Sequence, residues 1–246
     1  MNGQSDLPFG DAAGQGGVPQ VHRADDLPAA FAQLPAPWRA VLSGWTPAAE
    51  QSVSVAVKAV SADREIAPPD PFRALRMLAP DEVKVVVFGQ DPYPRPGHAT
   101  GLAFSAGHGK PVSLRRIFDI LKADRPGWLP PERWVLDDWA RQGVLMLNTV
   151  LTVEVGAAGA HMNCGWQVLT SDIVRVLAGR AAPPTFLLWG KPAQAFFDAA
   201  CPAGSPARVL RARHPSQDFK REFMADGSHF AATAEQIDWW RLKTPL

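Results

Sequence analysis

A chain of 246 residues with 46% apolar and 20% charged side chains can bury a substantial core, which excludes a disordered, collagen-like or small disulfide-stapled protein. A net charge of +1 decides nothing about partners, since a nucleic-acid binder would have to concentrate its basic residues on one face. The two cysteines, Cys164 and Cys201, form neither a spaced metal motif nor a disulfide framework, so a reduced compartment is expected.

In chain order, residues 1–25 are rich in Gly, Asp, Gln and Pro without periodicity, and are expected to form a flexible tail before a single domain over 26–246. They lack the charged-then-apolar pattern of a signal peptide. No apolar stretch is long enough to cross a bilayer, and a cytoplasmic location is expected. Helical segments follow at 27–45 and 48–65, then "IAPPDPFRALRML" (66–78) interrupts the chain with three prolines before a short helix.

From there the pattern alternates. "VKVVVF" (83–88), "VLMLN" (144–148), "TFLLWG" (185–190) and "ARVLRA" (207–212) are short, nearly continuous apolar runs, as strands covered on both faces require. Between them lie helical pieces at 113–124, with Ser113 as the expected N-cap, at 166–179, closing on Gly179, and at 191–200. The expected fold class is α/β, with a central four-stranded, mostly parallel sheet flanked by helices.

Open parallel sheets bind ligands beyond the carboxyl ends of their strands. Gly89-Gln90-Asp91 follows the first strand, Asn148 ends the second, Gly190-Lys191 follows the third, and His214-Pro215-Ser216 lies beyond the fourth. Taken singly, an Asp before a Pro is most often a turn residue, and an Asn or His at a strand end a cap or loop contact. Their joint placement converges an acid, an amide and an imidazole on one cleft. Other chemistries lack their residues: "GHGKP" has neither the glycine nor the Ser/Thr of a phosphate-binding loop, no GxSxG, HExxH or paired CxxC occurs, and the six histidines show no metal-ligand spacing. Neither a metal nor an organic cofactor is expected.

In this order, "GQDPY", "GLAFS", "LMLNTVLTV" and "HPS", with "SLRRI", "LLWG" and "SHF", resemble the family 1 uracil-DNA glycosylases over some 175 of the 246 residues. The resemblance implies hydrolysis of the N-glycosidic bond of deoxyuridine in DNA after base flipping, which leaves free uracil and an abasic site and initiates base excision repair. Asp91 would be the anion facing the sugar and the attacking water, and His214 the donor to the departing base. Gln90, Tyr93, Phe104 and Asn148 would bind uracil: Phe104 by stacking, Tyr93 by excluding a methyl at C5, Asn148 by presenting donor and acceptor to the base edge. Pro68, Pro69, Ser105, Gly190, Lys191, Ser216 and Phe219 would contact DNA.

Four positions depart from the resemblance. Pro94 and Arg95 stand where His-Gly is usual, and Lys191 stands where a serine is usual. Asp218 occupies the place of the leucine that fills the vacancy left by the flipped base, so Phe219 is the expected wedge. Family-typical protein inhibitors that grip this loop are then expected to bind weakly. Lys191, Arg208, Arg211, Arg213, Lys220 and Arg221 form the expected local basic field around His214. The expected partner is uracil-containing DNA, single- or double-stranded, and the protein is expected to act as a monomer away from membranes. The alternatives are a glycosylase shifted toward single strands or other damaged bases, and a non-catalytic DNA-binding relative.

Overall fold

The structure is a computed structural model that describes residues 20–218 and 222–242. The strands are β1 (Ile66–Ala67), β2 (Val85–Gly89), β3 (Val144–Asn148), β4 (Val153–Glu154), β5 (Thr185–Trp189) and β6 (Val209–Ala212). The helices are α1 (Leu27–Ala32), α2 (Ala36–Arg39), α3 (Pro47–Ser61), α4 (Arg73–Arg76), α5 (Val112–Asp124), α6 (Asp137–Ala140), α7 (Gln167–Ala178), α8 (Lys191–Ala200) and α9 (His229–Ala232).

The main sheet runs β3-β2-β5-β6 with every pairing parallel. All residues of β2, β3 and β5 are buried, which accounts for their unbroken apolar runs. β6 forms one edge and is only partly covered. A second, two-residue antiparallel pair of β1 and β4, absent from the sequence reading, joins the proline-rich segment to the chain beyond β3.

Local chemistry explains where the helices differ from expectation. The 27–45 segment is split by Pro35, which precedes α2 and breaks the helical run after α1. Helix α3 starts on Pro47 with the Thr46 hydroxyl accepting from Ala49 N. Ser113 is not an N-cap: α5 begins one residue earlier, after Pro111, whose fixed φ sets the entry. The packed domain also begins before residue 26. Val21 and Ala24 are buried, and Val21 N donates to Pro69 O at 2.7 Å.

Trp139, Trp166 and Trp189 are fully buried core residues. The indole of Trp189, at the end of β5, donates to Nδ1 of His229 at 3.1 Å, and the other nitrogen of His229 faces the Arg211 carbonyl. Burial pushes His229 down to about 4, against a weaker opposing effect from that carbonyl. An unfolded histidine titrates near 6.5, so between these values the unfolded chain takes up the proton first and stability falls as pH falls. Urea unfolding is expected to show about 3 kcal/mol of this loss between pH 7 and pH 4, at ~1.4 kcal/mol per pH unit of the window. His229→Gln, which retains an amide N–H for the Arg211 carbonyl, should flatten the pH dependence; an unchanged slope would assign the loss to other groups.

Candidate active site

The parallel register places Gly89 beside Asn148 at the carboxyl ends of β2 and β3. A Cβ on Gly89 would lie 2.1 Å from Asn148 Oδ1, so the absence of a side chain at 89 is what makes room for the amide. Asn148 is 9% exposed, and among the described residues its side chain has no hydrogen-bond partner. The residue lines an open space at the strand ends.

That space is a cavity of about 180 Å³, lined by Gly89, Gln90, Asp91, Tyr93, Phe104, Asn148 and His214 among others. It is smaller than the roughly 300–1,000 Å³ of a drug-sized site and suits one small ring. Phe104 has φ +63°, a conformation strained for a bulky residue and held by its surroundings. Its ring lies 5.3 Å from Trp189 and 6.1 Å from His214. Tyr93 donates its hydroxyl to Phe104 O at 3.1 Å, which ties the two aromatic walls together, and burial pushes its phenol up.

Asp91 is half-buried, and its Oδ2 accepts from Gly159 N at 2.8 Å. Burial holds its carboxyl above the usual range, opposed by hydrogen bonds from Gly159 and from its own backbone. The carboxylate is therefore sparsely solvated.

His214 follows β6 and caps the turn Pro215–Gln217. Its Nδ1 accepts from Ser216 N at 3.2 Å and lies 2.7 Å from Ser216 Oγ. An accepting Nδ1 assigns the proton to Nε2, and burial pushes the imidazole down, which favours the neutral ring. Gly190, at φ +98°, lets β5 pass this residue: a Cβ there would meet His214 Cβ at 2.9 Å.

The residues expected at DNA divide into groups. Ser216 and Lys191 are exposed beside His214. Ser105, by contrast, is fully buried; it lines the cavity, and its hydroxyl accepts from Leu136 N at 3.2 Å. Pro68 is buried and Pro69 half-buried. Gln90 is exposed, with its side-chain amide 3.7 Å from Met162 Sδ. Phe219, Lys220 and Arg221 lie outside the described residues.

An open groove of about 950 Å³ continues from the cavity past His214 along β6, lined by Lys191, Arg211, Arg213 and His229 among others. Its basic field is weaker than the sequence suggests. Arg211 pairs bidentately with Asp198 at 3.0 and 2.5 Å, and Arg213 pairs with Glu222 at 2.6 Å. Among the described residues, Lys191 and Arg208 have no ion-pair partner.

Three contributors lie outside the residues expected to bind or cleave. Gly159 acts through its backbone N–H, Ser113 lines the cavity from α5, and Pro94 accepts from Gly156 N at 2.8 Å. Asp218, at the position of the missing leucine, turns inward. It is 4% exposed at its side chain, pairs with Arg116 of α5, and accepts from Phe223 N at 2.7 Å.

Known proteins are similar to this chain. Residues 76–237 match the uracil DNA glycosylase superfamily. The chain is 44% identical over 196 residues to the uracil-DNA glycosylase of Bordetella parapertussis, covering 77% of this chain and 76% of that one. It is 39% identical over 235 residues to that of Bordetella petrii, covering 88% and 91%. The crystal structure of mimivirus uracil-DNA glycosylase has the same fold, with a TM-score of 0.67 at 24% identity over 78% of this chain and 75% of that one. A mimivirus UNG structure in complex with UGI matches with a TM-score of 0.67. With its strand-end acid, amide and imidazole around a cavity of single-ring size, the chain belongs to the uracil DNA glycosylase superfamily.

Proposed function

We propose that the protein hydrolyses the N-glycosidic bond of deoxyuridine in DNA, releasing uracil and leaving an abasic site, as the first step of base excision repair. The observation that carries this reading is the unpartnered Asn148 amide inside a cavity of about 180 Å³ that Asp91 and His214 also line. An amide offers an NH2 donor and a carbonyl acceptor, and with Nδ2 toward O4 and Oδ1 toward N3–H it pairs with the uracil edge and mismatches cytosine. A target base must leave the duplex to enter so small a space.

In the reaction, Phe104 stacks on the flipped base and His214 donates Nε2–H to O2 as negative charge gathers there. Asp91 faces the sugar, whose positive charge it stabilises while orienting the water. Because Asp91 is sparsely solvated, its charge acts on the sugar with little screening. Lys191, Ser216 and Gly190 meet the DNA backbone in the groove beyond. The protein works as a cytoplasmic monomer; its unbridged cysteines and the absence, among the described residues, of any helix long and apolar enough to cross a membrane support that placement.

The test is release of free uracil from deoxyuridine oligonucleotides, compared for single strands, U·G pairs and U·A pairs. Salt-dependent binding without release would identify a non-catalytic relative, and release confined to single strands a shifted preference. Tyr93→Ala, which opens the wall that would meet a C5 methyl, is expected to raise thymine release by about tenfold or more over the native background, since one methyl group discriminates by roughly 10–200-fold. Thymine release that stays at background would remove Tyr93 from substrate selection.

A further inference from the structure

Outside the cavity lining lies a buried polar chain that the proposed reaction does not use. Trp166 Nε1 donates to Thr152 Oγ1 at 2.8 Å, and Thr152 Oγ1 lies 2.9 Å from His161 Nδ1. His161 Nε2 lies 2.8 Å from Ser61 Oγ, which donates to Glu154 Oε2 at 2.9 Å. Ser61, Thr152, His161 and Trp166 are all 0% exposed. A carboxylate only accepts, so the Ser61 proton points to Glu154, Ser61 accepts from His161 Nε2–H, and His161 Nδ1 accepts from Thr152. In this assignment the side-chain hydrogen bonds run one way, from the indole to the carboxylate, and hold the ring of His161 at both nitrogens, while the Thr152 carbonyl also faces the ring.

Apolar side chains would fill this volume without the cost of burying polar groups; what a fully satisfied network adds is a single position for the backbone that bears it. The backbone in question is a run of turns. Gly156 N donates to Pro94 O at 2.8 Å, Met162 N to Gly159 O at 3.0 Å, and Cys164 N to His161 O at 3.0 Å. Two residues before His161, Gly159 N donates to Asp91 Oδ2 at 2.8 Å.

We infer that His161 is a positioning residue for the reaction: anchored between Ser61 and Thr152, it holds the 156–164 turn so that Gly159 N–H aims the Asp91 carboxylate. This rests on the role proposed for Asp91. The network places no atom on the substrate; it sets where the carboxylate sits and how strongly its ionised form is favoured. The titratable groups sharing the cavity with Asp91 are Tyr93 and His214, and the charged groups closest to His161 are Glu154 and its partner Arg64, at 3.6 Å.

The experiment measures kcat and KM against pH for uracil release by His161→Ala, Ser61→Ala, Thr152→Val and His161→Gln. Misplacing the carboxylate should lower kcat of His161→Ala about tenfold to a hundredfold with KM little changed. Loss of the Gly159 hydrogen bond, which favours ionised Asp91, should move the acid limb of the profile to higher pH. Ser61→Ala and Thr152→Val, each of which removes one end of the anchor, should shift it the same way by less, and they carry the test if His161→Ala does not fold. His161→Gln, which keeps a donor toward Ser61, should recover part of the rate. Phe197→Ala, a core truncation against Phe186 outside the cavity lining, supplies the comparison: it should lower stability without moving the acid limb. Acid limbs that coincide with the native one in all the anchor variants would overturn the inference. Failure of the native protein to release uracil, or full turnover by Asp91→Asn, would instead sink the underlying reading.

Discussion

Asp91→Asn is expected to lower the rate of uracil release by about a hundredfold to ten-thousandfold, the range for losing one positioned acid–base group, while leaving affinity for uracil-containing DNA in place. The substitution is nearly isosteric, and its carbonyl oxygen still accepts from Gly159 N. What it removes is charge. Burial holds the Asp91 carboxyl above its ordinary range, so the folded state binds this proton more readily than the unfolded chain does. By linkage the stability contributed by protonated Asp91 is lost as pH rises through its folded value, and at neutral pH the ionised group costs stability. Asp91→Asn should therefore melt higher than the native protein at neutral pH even as it loses activity, the exchange expected when a site keeps a poorly solvated charge for chemistry. Differential scanning calorimetry and single-turnover kinetics on the same preparation check both halves; a variant that is less stable and fully active would contradict both.

His214→Leu is expected to lower kcat by about a hundredfold to a thousandfold, the usual consequence of deleting one donor aimed at developing negative charge. The form of the pH profile is the sharper test. Nδ1 accepts from Ser216 N and burial disfavours the imidazolium, so the native ring donates from Nε2 while neutral. Activity should stay flat as pH rises through the ordinary histidine range. A fall there would identify the imidazolium as the active form, since it alone is lost on that side.

The main sheet was legible because strands buried on both faces must be apolar throughout: the runs at 83–88, 144–148, 185–190 and 207–212 contain nearly all of β2, β3, β5 and β6. The convergence of Asp91, Asn148 and His214 followed from topology, since successive parallel strands deliver their ends to one edge. What escaped depends on partners distant in sequence. The Ser105 hydroxyl, at the cavity wall, is engaged by the Leu136 amide, 31 residues away. Gly159 contributes a backbone donor, which no side-chain pattern encodes. The β1–β4 pair is two residues long on each side, too short for any periodicity. The basic field read around His214 counted arginines without the Asp198 and Glu222 carboxylates that pair with two of them.

The inward-turned Asp218 also bears on how this loop can change over generations. Its carboxylate bridges the Arg116 guanidinium and the Phe223 amide in a setting only 4% exposed on one side and 18% on the other. Exchanging Asp218 alone for an apolar residue leaves the Arg116 guanidinium with the more distant Asp119 carboxylate, at 4.0 Å, and takes the acceptor from the Phe223 amide, at a cost of about 3 kcal/mol for the unsatisfied groups. Set against a total stability of about 5–15 kcal/mol for a domain, such an intermediate stands near the edge of folding. A leucine at 218 is therefore better tolerated together with a change at Arg116. The two positions constrain each other's history, and a lineage that carries the pair stays on its own route to handling DNA.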